Sequence, residues 1–269
     1  MPSFYALVGV APGGFDPEHR FVTSWLLPPR GLAFLRLLFA LFCWANLFAC
    51  FGYDAIHDPG TIGAQFSYFT NLTWWGITCY MTVAAVHTFV YVQKGYSWLD
   101  RWWRPLQLLH SFFYTTIVTY PFLVTIVYWV ILYKNPWFTV TMDAFRNVSR
   151  HGLNSLAALL EIILPATNPP PFLHIPFLVV VLALYLALAY VTYATQGFYT
   201  YSFLNPAHGA GLLAGYIVGI AVAGVVIFLI VWGLIWTRRR FTGLGKRSQR
   251  DIEINTHRDL TSDVEMTLK

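Results

Sequence analysis

Hydroxyl and amide side chains recur at helical spacing near the start of one apolar stretch of the sequence. They occupy positions i, i+3, i+4, i+7 and i+11, which form one face of an α-helix: Ser67, Thr70, Asn71, Trp74 and Thr78. A Thr hydroxyl attacks an acyl carbon when a neighbouring base removes its proton. We therefore take Thr70 as a candidate nucleophile and Ser67 as a supporting hydroxyl.

A second polar face lies further along the chain and contains a candidate base. Its members stand at i, i+4, i+7 and i+14, again on one helical face: Asn147, His151, Asn154 and Glu161. The imidazole of His151 is the group that would take the Thr70 proton and return it later. Asn71 or Asn154 is a candidate donor to the negative oxygen that develops on the attacked carbonyl.

A catalytic imidazole is commonly oriented by a third group. Glu161 cannot act directly on His151, because ten residues of helix separate the two by about 15 Å. The orienting group is expected from another helix or from Asn147, Asp54 or Asp58.

The composition shows where these helices must lie. Of the 269 residues, 57% are hydrophobic and only 11% are charged, with a mean hydropathy of +0.55. Soluble domains carry about 25% charged residues, so most of this surface does not meet water. The 18% of aromatic residues suits the headgroup layers of a bilayer. The chain is expected to be an all-α polytopic membrane protein.

Six stretches are long and apolar enough, or nearly so, to cross a bilayer, which takes about 20 residues. They cover about residues 31–52, 66–91, 105–133, 142–164, 175–195 and 210–236. Pro121 is expected to kink the third, and Pro169–Pro171 follow the end of the fourth. The predicted organisation is a cytosolic segment over residues 1–30, a transmembrane domain over residues 31–237, and a polar, disordered tail over residues 238–269.

Basic residues predict the orientation of these spans. With the N-terminus in the cytosol, one side holds Arg20, Arg30, Lys94, Arg101, Arg104 and the C-terminal tail, and the other holds Lys134, Arg146 and Arg150. This asymmetry predicts that both termini are cytosolic. Thr70 and His151 then fall at similar depth in the same leaflet, which predicts a shared polar pocket. The basic opening of the tail is expected to contact anionic lipid.

Other polar positions support weaker hypotheses. Gln107, His110, Ser111 and Tyr114 form a polar face of the third span, towards the cytosolic side. Together with the Thr70 layer and Glu161, this face would be needed for a proton or ion path. His208 lies near the start of the sixth span, where it would either join the Thr70 layer or cap an interface.

Several classes of site are not indicated. The three cysteines, Cys43, Cys50 and Cys79, have neither metal-site nor disulfide spacing. The sequence shows no metal-ligand pair at helical spacing, no phosphate loop and no hydrolase elbow. It therefore predicts no metal and no cofactor, and it contains no nucleic-acid-binding motif.

Three local motifs are similar to those of a known family: Tyr68-Phe69-Thr70-Asn71, His151-Gly152-Leu153-Asn154-Ser155 and Gly197-Phe198-Tyr199-Thr200-Tyr201-Ser202-Phe203-Leu204. On these the chain resembles the androgen-induced, FAR-17a-like membrane proteins and, more loosely, the rolling-stone proteins. The similarity covers about residues 31–236. Thr200 and Tyr201 depart from the family's Gly-aromatic-Tyr-Pro-Phe-Leu pattern, and a second His frequent near His151 in related sequences is replaced here.

The resemblance implies a multi-pass hydrolase of fatty acid esters of hydroxy fatty acids, with Thr70 as nucleophile and His151 as its partner. The first expectation is thus an intramembrane lipid ester hydrolase of the endoplasmic reticulum or plasma membrane, acting on a membrane lipid. A non-enzymatic protein of adhesion, fusion or scaffolding is the alternative, with no enclosed cavity behind Thr70. A small transporter or channel is the second alternative. The oligomeric state stays open.

Overall fold

The computed structural model describes residues 4–10, 15–134 and 136–243. Within these ranges the chain forms α-helices and short 3₁₀ or π-helical turns, with one isolated antiparallel bridge between Ser24 and Pro165. The helices are α1 (Phe4–Leu7), α2 (Pro29–His57), α3 (Phe69–Lys94), α4 (Arg104–Val127), α5 (Thr141–Val148), α6 (Asn154–Ile163), α7 (His174–Gln196) and α8 (Ala210–Phe241). Residues 238–241, the start of the predicted disordered tail, continue α8 as helix, and the part of that tail beyond Gly243 lies outside the described residues.

Five of the helical segments are long and apolar enough to cross a membrane: α2, α3, α4 with the π-helical turn Tyr128–Leu132, α7 and α8. The fourth predicted span has a different form. It consists of α5, the π-helical turn Ser149–Leu153 and α6, which are consecutive pieces of 8, 5 and 10 residues. At about 1.5 Å per residue these pieces together reach about 34 Å, but the first half is polar, so this segment is not among the five and its crossing of the membrane stays a prediction. The protein is an all-α, multi-pass membrane protein.

Glycine ends two of the long helices. Gly95 after α3 and Gly197 after α7 have φ of +73° and +79°, and each donates its N–H to a carbonyl four residues back. This left-handed conformation is strained for residues with a Cβ, so Gly is the usual residue there. The turn at Gly197 sends the chain into the 198–209 loop, which packs against α7 and α8 near the start of α3.

The helices differ in how much of their surface they bury. In the most apolar 18-residue stretch of each helix, the buried share is 50% in α3, compared with 17% in α7 and 22% in α8. The core is built on α3 and α4, where Trp74, Tyr80 and Tyr114 are almost fully buried. The remaining surface of α7 and α8 is apolar and exposed, as expected for helices that face lipid.

A buried ion pair joins α2 to α6. Arg36 donates to both carboxylate oxygens of Glu161, from Nε at 2.8 Å and from Nη2 at 2.6 Å. Its Nη1 donates to Thr88 Oγ1 and to the Phe21 carbonyl, both at 2.8 Å. Tyr80 donates to Glu161 Oε2 at 3.3 Å. Glu161 is therefore a neutralised, fully bonded group that fixes helix positions, and Arg36 is the partner that the sequence analysis did not identify.

The start of the second span was misplaced by three residues. The second span was expected to be helical from Phe66, with Ser67 on the same face as Thr70. The residues Gly63–Ser67 instead form a 3₁₀ segment, Tyr68 is extended, and α3 begins at Phe69. The break places Ser67 ahead of the helix, so it does not share the Thr70 face.

Candidate functional site

A mostly apolar cavity of about 170 Å³ lies between α4, α7 and α8. Its walls include Leu123, Val127, Leu182, Leu186, Phe203 and Ile220. One wall reaches Val179, which is 37% exposed on the apolar outer surface of α7. A cavity of about this size can hold a benzene-sized group, so it fits a short length of an acyl chain.

Thr70 lies in the wall of this cavity, in the first turn of α3. Its side chain is buried, with 9% of the residue exposed. Its hydroxyl lies 3.4 Å from the hydroxyl of Tyr201, which is also 3.4 Å from the Thr70 backbone nitrogen. Thr70 thus places one nucleophilic oxygen on the surface of a space that is otherwise suited to hydrocarbon.

Tyr201 comes from the loop after Gly197 and also lines the cavity. Burial raises the pKa of its phenol above the usual value of 10.0. The hydroxyl therefore keeps its proton at neutral pH and is a hydrogen-bond donor beside Thr70 Oγ1. Sequence reasoning placed Tyr201 in an imperfect motif and gave it no role.

Ser67 holds the surrounding scaffold in place. Its carbonyl accepts from Tyr185 at 3.1 Å, and its hydroxyl accepts from Thr192 at 3.1 Å. Thr200 Oγ1 lies 3.2 Å from the same Tyr185 hydroxyl, which can accept its hydrogen bond. These bonds tie the start of α3 to α7 and to the loop that carries Tyr201.

His151 lies in the middle of the π-helical turn between α5 and α6. Its ring stacks on Tyr128, with centroids 3.5 Å apart and planes 4° from parallel. Trp129 Nε1 donates to the His151 carbonyl at 2.8 Å. The ring nitrogen Nδ1 is buried without a hydrogen-bond partner. π-Helical turns are rare and frequently occur at functional sites.

Thr70 lines the cavity, whereas His151 does not line it and is in contact with a lining residue, Tyr128. Tyr128, on which His151 stacks, lines the cavity together with Thr70. No hydrogen bond connects Thr70 Oγ1 to the imidazole; the hydroxyl meets Tyr201 instead. One aromatic ring, that of Tyr128, stands between the imidazole and the cavity surface.

The predicted amide groups have other partners. Asn71 Nδ2 donates to the backbone and side-chain oxygens of Gln65, at 2.8 and 2.9 Å. Asn154 Nδ2 donates to the Pro121 carbonyl at 3.3 Å, and Asn147 Nδ2 to the Asp143 carbonyl at 2.8 Å. Both N–H groups of Asn71 are thus used, whereas one N–H of Asn154 is committed to Pro121 and its other forms no hydrogen bond within the described residues. Asn147 bonds to its own helix rather than to His151.

The remaining predicted polar residues lie apart from the cavity. His110 is buried among rings, stacking on Tyr80 and meeting Phe21 and His87 edge-on. His208 is exposed in the turn before α8. Among the described residues, no group of three or more His, Cys, Asp or Glu side chains could hold a metal ion.

A polar network adjoins the site at Asn71. Asp54 pairs with Arg146 and accepts from Gln65 Nε2 at 2.7 Å. Arg150 Nη1 donates to Asn71 Oδ1 at 2.6 Å and to Gln65 Oε1 at 3.1 Å. Arg146 and Arg150 stand four residues apart in the sequence, and this spacing was the available signal that they act together.

Comparison with known proteins gives no match of any of the three kinds sought. No family model matches the chain, no curated protein matches it, and no solved structure matches it.

Proposed function

We propose that this protein is an intramembrane lipid ester hydrolase with Thr70 as its nucleophile. The observation that carries the proposal is the position of the Thr70 hydroxyl in the wall of an apolar cavity among lipid-facing helices. An acyl chain in that cavity would place its ester carbonyl beside Thr70. The rest of the chain would leave past Val179 into the bilayer.

The residues around Thr70 fit the steps of acyl transfer. Thr70 Oγ attacks the ester carbonyl while His151 takes the hydroxyl proton, and the tetrahedral oxyanion accepts a hydrogen bond from Tyr201. Collapse of the intermediate breaks the ester C–O bond, and the alcohol leaves with the proton held by His151. Water then attacks the acyl-Thr70 ester while His151 takes its proton, and His151 returns that proton to Thr70 Oγ as the acyl C–O bond breaks and the fatty acid is released.

This mechanism requires movement at His151, because no hydrogen bond links its ring to Thr70 in this structure. Catalytic hydrogen bonds are often long before substrate binds. A turn of the His151 ring away from Tyr128, or one bridging water, would connect it to the Thr70 hydroxyl. The unpartnered Nδ1 means that this nitrogen gives up no existing hydrogen bond when the ring moves.

Fatty acid esters of hydroxy fatty acids are the proposed substrate class, by resemblance to the androgen-induced, FAR-17a-like proteins. We further propose cytosolic termini and a location in the endoplasmic reticulum or plasma membrane. Contact of the basic tail with anionic lipid also belongs to the proposal. Within the described part of that tail, Arg238 bonds to the Ile162 and Thr167 carbonyls and Arg239 bonds to Asn168.

A non-catalytic lipid-binding protein is the second candidate. It is favoured by the contact of Thr70 Oγ1 with Tyr201 instead of an imidazole. No observation favours a transporter. Apolar side chains of the core fill the space around α3 and α4. Arg36 neutralises Glu161, so this carboxylate offers no charge to an ion path.

Hydrolysis by purified protein in a non-ionic detergent separates the two candidates. Branched fatty acid esters are offered to wild type, Thr70→Ala, His151→Ala and Thr73→Ala. Thr73 is a matched control, since it is a buried Thr of α3 whose hydroxyl bonds only to the Phe69 carbonyl of its own helix. The hydrolase proposal predicts turnover by wild type and Thr73→Ala, and its loss in the other two variants. Inactivity of folded wild type on the whole ester panel would favour lipid binding alone.

A further inference from the structure

Arg150 is a deeply buried cation whose nearby carboxylate, Asp54, is already paired with Arg146. Only 4% of the residue is exposed, and its Nη1 meets two neutral amide oxygens, those of Gln65 and Asn71. The carboxylate of this network, Asp54, is paired with Arg146, and among the described residues Arg150 forms no ion pair. The network therefore holds one positive charge in excess, which is costly in a buried site unless an anion completes it.

Unpartnered donors are concentrated on the same short stretch. Within the described chain, four buried polar atoms without a hydrogen-bond partner fall on six consecutive residues: Arg146 Nε, Ser149 Oγ, Arg150 Nε and His151 Nδ1. Buried polar groups are nearly always hydrogen-bonded, so such a cluster calls for an explanation. The two Nε atoms can only donate, and the hydroxyl can donate. The partner that would satisfy them together is an acceptor.

This stretch is connected directly to the candidate site. Arg150 bonds to Asn71, which is the residue after Thr70 on α3, and Arg150 precedes His151. The start of α3 thus has the cavity at Thr70 and, one residue on, a bond from Arg150 to Asn71, although Arg150 does not line the cavity itself. An amphiphile has both matching parts, a hydrocarbon chain and a charged end.

We propose that residues 146–151 form a binding site for the carboxylate or phosphate group of an anionic amphiphile, with Arg150 as its principal ligand. Guanidinium groups bind both anions through two parallel N–H bonds. Ser149 supplies a further donor. If the proposed hydrolase function holds, on which this extension rests, the substrates are esters that keep a free anionic group. Binding of the anion does not itself depend on hydrolysis.

Thermal unfolding in a non-ionic detergent tests the site without any activity. The probes are sodium oleate, its uncharged counterpart methyl oleate, monooleyl phosphate, and acetate and inorganic phosphate without a chain. We expect the two anionic lipids to raise the unfolding midpoint, and methyl oleate and the chainless anions to raise it far less. Equal shifts with oleate and methyl oleate would overturn the proposal, and equal shifts with acetate and oleate would show a free-anion site instead of a lipid site.

Three variants locate the site. Arg150→Met should abolish the preference for oleate over methyl oleate, whereas Arg30→Met, which removes an exposed arginine, should leave it intact. Ser149→Ala removes a hydroxyl that has no partner here, so the unliganded protein should unfold at the same or a higher temperature, while oleate affinity falls about tenfold. Undiminished oleate preference in both Arg150→Met and Ser149→Ala would contradict the assignment.

Thr70→Ala separates this proposal from the proposed function. The variant should keep the oleate preference even though it is expected to be inactive. An active wild type without oleate preference would refute only the anion site. An inactive wild type with a preference that depends on Arg150 would refute only the hydrolase.

Discussion

The two most deeply buried arginines of the helical bundle have opposite surroundings. Arg36 and Arg150 expose only 2% and 4% of their surface. All three guanidinium nitrogens of Arg36 donate hydrogen bonds, two of them to the carboxylate of Glu161. Arg150 has neutral acceptors at Nη1 and an orphaned Nε. A saturated guanidinium serves the fold, whereas an unsaturated one is consistent with a missing ligand, and the second region bonds to Asn71, the residue that follows Thr70.

The largest expected effect is the loss of stability when Arg36 is replaced, and the same replacement of Arg150 is the comparison. Arg36→Met would leave Glu161 buried without its counter-ion, which costs about 3–5 kcal/mol and lowers the unfolding midpoint by roughly 10 °C. Arg150→Met would remove an uncompensated charge and should leave the midpoint unchanged or raised. The double variant Arg36→Met with Glu161→Leu should recover most of the loss. Equal destabilisation by the two single variants would break the comparison.

A substitution at Tyr201 tests whether its hydroxyl, which lies beside Thr70 in the cavity wall, takes part in ester hydrolysis. Tyr201→Phe removes the donor beside Thr70 Oγ1 and should reduce kcat for ester hydrolysis by about 10²- to 10³-fold, as loss of an oxyanion donor does. The unfolding midpoint should change little, since the bond it breaks is long. Tyr120→Phe is the control, because Tyr120 is buried, its hydroxyl bonds to the Leu178 carbonyl, and it does not line the cavity. A kcat equal to that of wild type in Tyr201→Phe would exclude this role.

The smallest expected effect concerns Asp16 and depends on pH. Asp16 accepts from the N–H of Phe21, whose carbonyl accepts from Arg36. Burial raises the pKa of the Asp16 carboxyl from 3.8 to about 6. The hydrogen bonds that it accepts from the backbone N–H groups of Phe21 and Arg20 lower the pKa, but by less. The folded state thus prefers the neutral acid, and this contribution to stability is full below about pH 4 and is lost as the pH rises through about 6. Stability should increase by about 1 kcal/mol between pH 7 and pH 5.

Thermal unfolding as a function of pH checks this, with Asp16→Asn as the comparison. The variant carries no titrating group at this position and should lose that part of the increase. The nearby pair of His19 and Asp100 would remain in both proteins. An unchanged pH profile in Asp16→Asn would show that another group is responsible.

The sequence predicted the long helices well because an uninterrupted run of about 20 apolar residues is itself the signal for a membrane-spanning helix. The predicted boundaries of the third and fifth spans agree with α4 plus its π turn and with α7 to within one residue. The start of the second span was misplaced, since Phe66 and Ser67 have no local signal that distinguishes a 3₁₀ turn from the α-helix that follows.

The site was predictable only in part, because its contacts are long-range. Thr70 was found from helical spacing, but its contact with Tyr201 joins residues 131 positions apart. Arg36 was overlooked because one basic residue scarcely changes the hydropathy of a long apolar run, and its partner Glu161 lies 125 positions away. The π-helical turn that holds His151 has no sequence signature that spacing arguments could use.

The most direct test of the central claim is to locate a covalent intermediate. Purified protein is mixed with an activated fatty acyl ester such as p-nitrophenyl decanoate, quenched in acid, digested and mapped by mass spectrometry. Our account predicts an acyl group on Thr70, absent from Thr70→Ala and retained in Thr73→Ala. Acylation at another residue that persists in Thr70→Ala, together with undiminished ester hydrolysis by that variant, would contradict it.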